Sequence, residues 1–395
     1  MIRSFLLLLL LLPFTGFAQY VITGKVLNGT DKIPVANASV FLNNAVAGSK
    51  TDDKGAFTIT KVRPGQYDLV VSSLGYEPLH QNIMVNTDIR LADISLAPKI
   101  MMLQEVRIKS KDDWRKNYEK FKQYFFGNSA YAQQCKILNR NLPDLLDLDY
   151  DSKTRVFTAR TDDFLEIENK ALGYKIRYQL QELKSDGIAN INYYQGTASF
   201  EELKGSKSQQ RKWKKNRLNA YEGSSMHFLR SAIANDFNNE GFKVLRLIRK
   251  PNPDYKGFGA KYKQTLVNTP LDARDFVKLT DVTGEYALNF NDCLYVMYNK
   301  KRAHLSDKDV KNVLLSPDFM DDPLTTTLIF NEPNVFFDNN GIIINPLGVL
   351  FDGNWGHRLI AELLPVDYVP SVGGFRLDRL YSGLTSDLRP LISDL

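Results

Sequence analysis

The sequence predicts an all-β sandwich at its amino end, followed by a mixed α+β domain rich in antiparallel strands. From Tyr20 to about Lys109, short alternating runs are separated by turn residues at intervals near ten, the spacing of a sandwich. Beyond Lys109, helical periods of three and four mix with two-residue alternation, the pattern of sheets with helices packed on them. The composition suits this reading. With 43% hydrophobic and 24% charged residues in a chain of 395, two or three buried cores are expected. Lys+Arg 51 against Asp+Glu 45 gives a net charge of +6, too mild and too dispersed for a duplex-binding surface, so no nucleic-acid partner is expected.

Residues 1–18 read as a signal peptide. Arg3 supplies a positive start and Phe5 to Leu12 an apolar stretch. Gly16-Phe17-Ala18 forms a small-x-small site that places cleavage between Ala18 and Gln19. The apolar run is far short of the ~20 residues that cross a bilayer, and Pro13 interrupts it. No later stretch is long and apolar enough to span, and no Cys follows the cleavage site to accept a lipid. The expectation is therefore an exported chain in the periplasm or at the outer membrane and cell surface, with no transmembrane span after processing. Its only cysteines are Cys135 and Cys293. Outside the reducing compartment they can form a disulfide or persist as two buried thiols, and two cysteines alone cannot build a zinc site.

The sandwich is expected over residues 19–109. Val40 and Leu42 alternate in one strand, Phe57 and Ile59 in the next, and Tyr67, Leu69 and Val71 in a third. Asp52-Asp53-Lys54-Gly55 and Arg63-Pro64-Gly65 supply the turns between them. Two acids in a four-residue turn offer too few oxygens for calcium, so Asp52 and Asp53 are read as turn residues.

Several spaced motifs in this stretch carry a resemblance. They are Gly24-Lys25-Val26, Pro34-Val35-Ala36-Asn37-Ala38-Ser39-Val40, Thr51-Asp52-Asp53-Lys54-Gly55-Ala56-Phe57, Pro64-Gly65-Gln66-Tyr67 and Ser73-Leu74-Gly75-Tyr76. Over Val21 to about Leu96 the chain resembles the carboxypeptidase-regulatory-like domain. That is a transthyretin-like (Ig-like) sandwich found at the amino end of exported and outer-membrane proteins of Bacteroidetes. The resemblance implies a fold and no reaction, since such domains bring no catalytic residues. His80, His227, His304 and His357 are scattered and none sits in a His-Glu-x-x-His set, so no metal site is expected. The receptors that begin with this domain continue into a barrel of 22 strands, and about 290 residues after Lys109 are too few for one.

The α+β domain is expected over residues 110–375, with a C-terminal tail at 376–395. Asp112 or Asp113 can cap a helix whose stripe is Trp114, Tyr118, Phe121 and Phe125 and whose stop is Gly127. A second helical stretch is expected from Asn128 or Ser129 through Cys135. Strands follow after Pro143, where Leu145, Leu148 and Tyr150 interleave with Asp147, Asp149 and Asp151. That D-x-D-x-D spacing lacks the Gly and Glu of a calcium loop and reads as an acidic strand face. Tyr174 to Leu180 and Ile191 to Tyr194 form a hairpin around Ser185-Asp186-Gly187. Val335 to Phe337 and Ile342 to Ile344 form another around Asp338-Asn339-Asn340-Gly341, and Gly353-Asn354-Trp355-Gly356-His357 is a tight turn with Trp355 as packing. Trp114 to Phe121 and Ile167 to Tyr174 are similar to segments of uncharacterised Bacteroidetes envelope proteins in which the same domain precedes this region.

The most unusual stretch runs from Lys204 to Arg217, with seven cations and no acid. One reading is a solvated helix whose inward residue is Trp213. The other is a partner-binding patch of Lys207, Arg211, Lys212, Lys214, Lys215 and Arg217 around Trp213, suited to an envelope protein with an acidic surface or an anionic glycan or lipid head group. No catalytic set emerges: Ser225 and His227 lie two apart on a helix and do not face each other, and no G-x-S-x-G elbow exists. The expected role is binding or scaffolding in the envelope, without cofactor. The alternative is a hydrolase of envelope glycan or peptide using carboxylates such as Glu166 and Glu168, which fall on one strand face.

Overall fold

The computed structural model describes residues 19–99, 111–189, 191–257, 259, 261–302, 324–370 and 389–390. The expected signal peptide, including Ala18, and nearly all of the expected tail lie outside these residues. Gln19 is the first described residue and is exposed.

The amino-terminal region is an Ig-like β-sandwich of β1 (Tyr20–Asn28), β2 (Ser39–Leu42), β3 (Gly48–Lys50), β4 (Ala56–Val62), β5 (Gly65–Ser72), β6 (Leu79–Val85), β7 (Ile89–Arg90) and β8 (Ile94–Leu96). One sheet pairs β1 with β4 antiparallel and with β7 and β8 in parallel; the other runs β3-β2-β5-β6. Alternate residues of each strand meet between the sheets, so Ile22, Val26, Val40, Leu42, Phe57, Ile59, Leu69 and Val71 are buried together. Asp52 closes its turn by accepting from the N–H groups of Lys54 and Ala56, while Gly55 takes the positive φ (+73°) the turn needs. Its carboxylate is thus a turn fastener, in agreement with the structural reading.

The next region begins with α1 (Lys111–Phe126). Its aromatic stripe stacks successively, Trp114 on Tyr118 at 5.0 Å and Phe121 on Phe125 at 4.9 Å, and Phe121 and Phe125 are fully buried on the sheet below. The helix already includes Lys111, so Asp112 and Asp113 lie in its first turn rather than capping it; Gly127 (φ +83°) stops it as expected. The six-stranded sheet contains β9 (Cys135–Ile137), β10 (Leu146–Asp151), β11 (Val156–Thr161), β12 (Leu165–Asn169), β13 (Tyr174–Asp186) and β14 (Ile191–Glu202), all antiparallel. The helix expected through Cys135 does not form. A single 3-10 turn, Ala132–Gln134, leads into β9, because pairing with Ile167 to Asn169 of β12 outweighs local propensity. In β10 the buried face is Leu146 and Leu148, with Asp147, Asp149 and Asp151 outward; Leu145 belongs to the preceding helical turn.

Two helices follow, α2 (Lys207–Tyr221) and α3 (Ser225–Ile233). The remaining strands are β15 (Phe242–Pro251), β16 (Tyr262–Pro270), β17 (Val277–Leu279), β18 (Glu285–Leu288), β19 (Cys293–Tyr298), β20 (Thr325–Phe330), β21 (Val335–Asp338), β22 (Val349–Gly353) and β23 (Arg389–Pro390). They form a five-stranded sheet, β16-β15-β19-β20-β22, and a four-stranded one, β21-β18-β17-β23. Phe228 of α3 anchors a core with Phe237, Phe242, Phe276 and Trp355, and the Trp355 indole N–H donates to Gly223 O at 2.7 Å. Trp355 is thus packing, as its turn suggests.

The sandwich is bound into the rest of the chain by backbone bonds. Asn44 N–H donates to Ala198 O (2.7 Å) and Phe200 N–H to Ala45 O (3.0 Å), which extends the edge of β14 with the Asn43–Ala47 loop. Gln66 N–H donates to Asn339 Oδ1, and Asn340 returns a bond from Nδ2 to Gln66 O. Phe41, Val70 and Phe164 form a small apolar contact capped by the Arg177 guanidinium, 4.5 Å from the Phe164 ring.

A basic helix held by its inner face as the candidate functional site

The basic run forms α2, opened by a capping box in which Ser206 Oγ accepts from Gln209 N–H and Gln209 Oε1 accepts from Ser206 N–H. At 100° per residue, Trp213, Arg217, Ala220 and Tyr221 fall on one face and are buried. This face grips the turn between β12 and β13 through four successive carbonyls. Trp213 Nε1–H donates to Lys170 O (2.9 Å), Asn216 Nδ2 to Ala171 O (2.7 Å), and Arg217 to Leu172 O (2.7 Å) and Gly173 O (3.1 Å). Arg217 also pairs with Glu202 at 2.6 Å and lies 3.8 Å over the Tyr174 ring. Gly173, at φ +73°, lets the indole lie flat on the turn: a Cβ there would collide with the Trp213 ring.

The geometry divides the seven residues read from the sequence. Trp213 and Arg217 are the anchor, buried against protein: Trp213 points inward as the solvated-helix reading has it, and neither belongs to the exposed patch of the other reading. The hydrogen-bonding demand of four turn carbonyls draws them inward. Lys207, Arg211, Lys212, Lys214 and Lys215 remain on the outer face, all exposed, and none makes an ion pair or side-chain hydrogen bond among the described residues. They share an arc of about 160° on the helix.

This arrangement works against the helix's own stability. The first turn holds a lysine and no acid, against the positive end of the helix dipole, and the last turn holds no base. Neighbouring cations repel by about 0.5 kcal/mol each in water, and i,i+4 acids that would relieve them are absent. The stretch thus combines a rigid mount with an uncompensated positive face, and such local conflicts concentrate where a surface is used.

The other residues singled out from the sequence lie apart from α2. Cys135 and Cys293 are both free thiols, in different sheets and different cores, so of the two readings the structure has the thiols and not the disulfide. Burial pushes the Cys135 thiol up to about 12 and raises that of Cys293. Glu166 is paired with Lys175 and Arg177, and Glu168 with Lys170. Both carboxylates sit on the one strand face expected and are neutralised there. Asp147 pairs with Arg160, and Asp151 closes a turn through Lys153 N–H and the Thr154 hydroxyl. Among the described residues no group of three or more His, Cys, Asp or Glu is placed to hold a metal.

His227 is buried in a ring of Tyr221, Phe242 and Tyr298. Its Nδ1 accepts from Gly223 N–H, so Nε2 carries the proton and donates to Glu240 at 3.0 Å. Burial holds the imidazole below its usual range, while Ser224 Oγ caps the helix by accepting from His227 N–H.

One cluster was not read from the sequence. Arg230, 2% exposed, donates to Asn340 O (2.8 Å), Tyr368 O (2.9 Å) and Val366 O (2.7 Å), which ties α3 to two distant segments beside the sandwich. Asp338, within the same turn as Asn340, is pushed up to about 6 by burial. The available signal was an arginine set between Phe228-Leu229 and Ala232-Ile233 in a largely apolar helix.

Sandwich, antiparallel sheets and basic helix together define a modular β-rich protein. Residues 22–108 match the family model described as CarboxypepD_reg-like domain, so the chain carries a carboxypeptidase-regulatory-like domain at its amino end. No curated protein matches the chain. Among solved structures it is similar to a type II cohesin–X-dockerin complex from Acetivibrio cellulolyticus, at 20% identity and TM-score 0.18, over 20% of this chain and 56% of that one. It is also similar to 3-chlorocatechol 1,2-dioxygenase from Rhodococcus opacus, at 12% identity and TM-score 0.18, over 21% of this chain and 61% of that one. A DUF3823 family protein from Bacteroides ovatus shares 13% identity at TM-score 0.17, over 48% of this chain and 83% of that one. The chain thus spans less than two thirds of the first two, and similarities this low carry no function across.

Proposed function

We propose that the chain is an exported binding or scaffolding protein of the cell envelope, and that α2 is its contact for a polyanionic partner. The carrying observation is the outward set Lys207, Arg211, Lys212, Lys214 and Lys215, exposed and without side-chain partners among the described residues, on a helix held by four backbone carbonyls. A rigid mount lowers the entropy lost on binding, and clustered like charges raise the local concentration of an oppositely charged polymer. The partner chemistry that fits is an acidic glycan, an anionic lipid head group or an acidic protein surface. Export follows from the reading of residues 1–18, and no described helix is long and apolar enough to cross a membrane.

The test is a crosslinking capture from intact envelopes with the processed protein beside a variant carrying Lys212→Glu, Lys214→Glu and Lys215→Glu. Recovery of one partner by the parent and its loss in the variant is expected. Equal recovery by both would remove α2 as the contact.

A further inference from the structure

β14 is an outer strand of its sheet. It pairs with β13 along its length, whereas among the described residues its free side is occupied only from Ala198 to Phe200, by the sandwich. Those bonds reveal which backbone groups face outward. Ala198 N–H donates to Asn43 Oδ1, Ala198 O accepts from Asn44, and Phe200 N–H donates to Ala45 O. Strand groups alternate in direction, so the N–H and C=O of Asn192, Tyr194 and Gly196 face the same open side. The irregularity between Leu180 and Glu182 inserts its extra residue into β13 and leaves this outward set unchanged.

From Ile191 to Thr197 the open edge reads Ile-Asn-Tyr-Tyr-Gln-Gly-Thr. It has no charge and no proline, the residues that normally blunt an edge. By contrast β16, the edge of the five-stranded sheet, carries Lys263 and ends on Pro270. Ile191 is 38% exposed and Ile188, in the turn before the strand, is 71% exposed.

We propose that this edge pairs antiparallel with the same edge of a second copy of the chain, about a two-fold axis at Tyr194. The usable window ends at Ala198, which the sandwich holds, and at the hairpin turn, so pairing centred on Tyr194 uses all of it. Asn192 then stands opposite Gly196 of the second copy, and the outward groups of Asn192, Tyr194 and Gly196 are all satisfied. A two-fold axis generates the antiparallel orientation, and an uncharged strand meets itself without opposing like charges. In this register the turn that carries Ile188 comes up beside the Asn43–Ala47 loop held on β14 of the second copy. So short a contact falls below the ~1,600 Å² of a typical stable interface, and the pairing is weak, with a dissociation constant on the order of 10–100 μM.

Sedimentation equilibrium of the full chain over rising concentration tests this, beside Asn192→Pro and Ile188→Lys. Proline removes an outward donor on each copy without touching the ladder to β13, and at least about tenfold weaker association is expected with unchanged circular dichroism. Ile188→Lys, in an exposed turn, should weaken association with no effect on folding and serves if the proline variant is misfolded. A parent that stays monomeric, or variants that associate as the parent does, would overturn the proposal. Protection of the Asn192, Tyr194 and Gly196 amides from exchange in a monomer bound to an envelope peptide would assign the edge to that peptide and equally overturn self-pairing.

Discussion

Arg217 and Lys215 are two residues apart in one basic run, and substitution of each to alanine should have opposite consequences. Arg217 is 9% exposed and, among the described residues, is the one donor to the carbonyl of Leu172, while it shares the carbonyl of Gly173 with the Leu203 N–H (2.9 Å). Arg217→Ala leaves the Leu172 carbonyl unpaired, at about 1–3 kcal/mol, takes one of two donors from Gly173, and removes the cover of the Tyr174 ring. The exposed Glu202 partner contributes little, because water solvates it once the arginine is gone. The expected total is about 2–4 kcal/mol of lost stability, a large fraction of what a domain possesses. Lys215→Ala removes an exposed, unpaired cation and should change stability by no more than about 0.5 kcal/mol, in the stabilising direction, because repulsion falls. Urea unfolding followed by circular dichroism reads both. If Arg217→Ala unfolds at the parent's midpoint, the division of the run into an anchor and an outer face is wrong.

Asp338 should make stability pH-dependent. Burial raises its folded pKa to about 6, above the ordinary carboxylate range, so the buried charge penalises the fold increasingly from about pH 4 and fully above about 6. Its contribution to stability should therefore rise as pH falls through about 6 and level off below about 4, by roughly 2–3 kcal/mol, and Asp338→Asn should abolish this segment of the curve relative to the parent. A difference curve that is flat between pH 4 and 7 would refute it. Gly173→Ala should cost at least about 2 kcal/mol, since it combines a positive φ with a collision against Trp213; an unchanged melting temperature would show that the indole can move aside. The two cysteines should both alkylate after unfolding without reductant and resist reagent at neutral pH in the folded chain, as read by mass spectrometry; a mass two hydrogens lighter would restore the disulfide.

Much of the sandwich was legible because its signals are local. Two-residue alternation and the Asp52–Gly55 turn depend on neighbours in sequence, and the structure places Val40, Leu42, Phe57 and Ile59 as that alternation requires. The helix stripe from Trp114 to Phe125 was legible for the same reason. The segment from Asn128 to Cys135 was not, because its fate is decided by a strand about thirty residues away. The basic run shows the limit within one element. Charge counts pointed to a surface, yet which cations face out depends on a turn at Lys170–Gly173 whose carbonyls need donors, and only three-dimensional placement reveals that demand. The Arg230 cluster, tied to Asn340, Val366 and Tyr368, is equally invisible to local pattern.

The most direct test of the polyanion-binding account is a titration of the processed protein with a polyuronate and, separately, with anionic lipid vesicles, at two salt concentrations. The parent is run beside the Lys212→Glu, Lys214→Glu, Lys215→Glu variant. The account predicts that the parent binds at least one of these probes, that binding weakens steeply as salt rises, and that charge reversal abolishes it while the fold persists. Binding that is indifferent to salt or equal in the variant, or no binding to either probe by the folded parent, would contradict it.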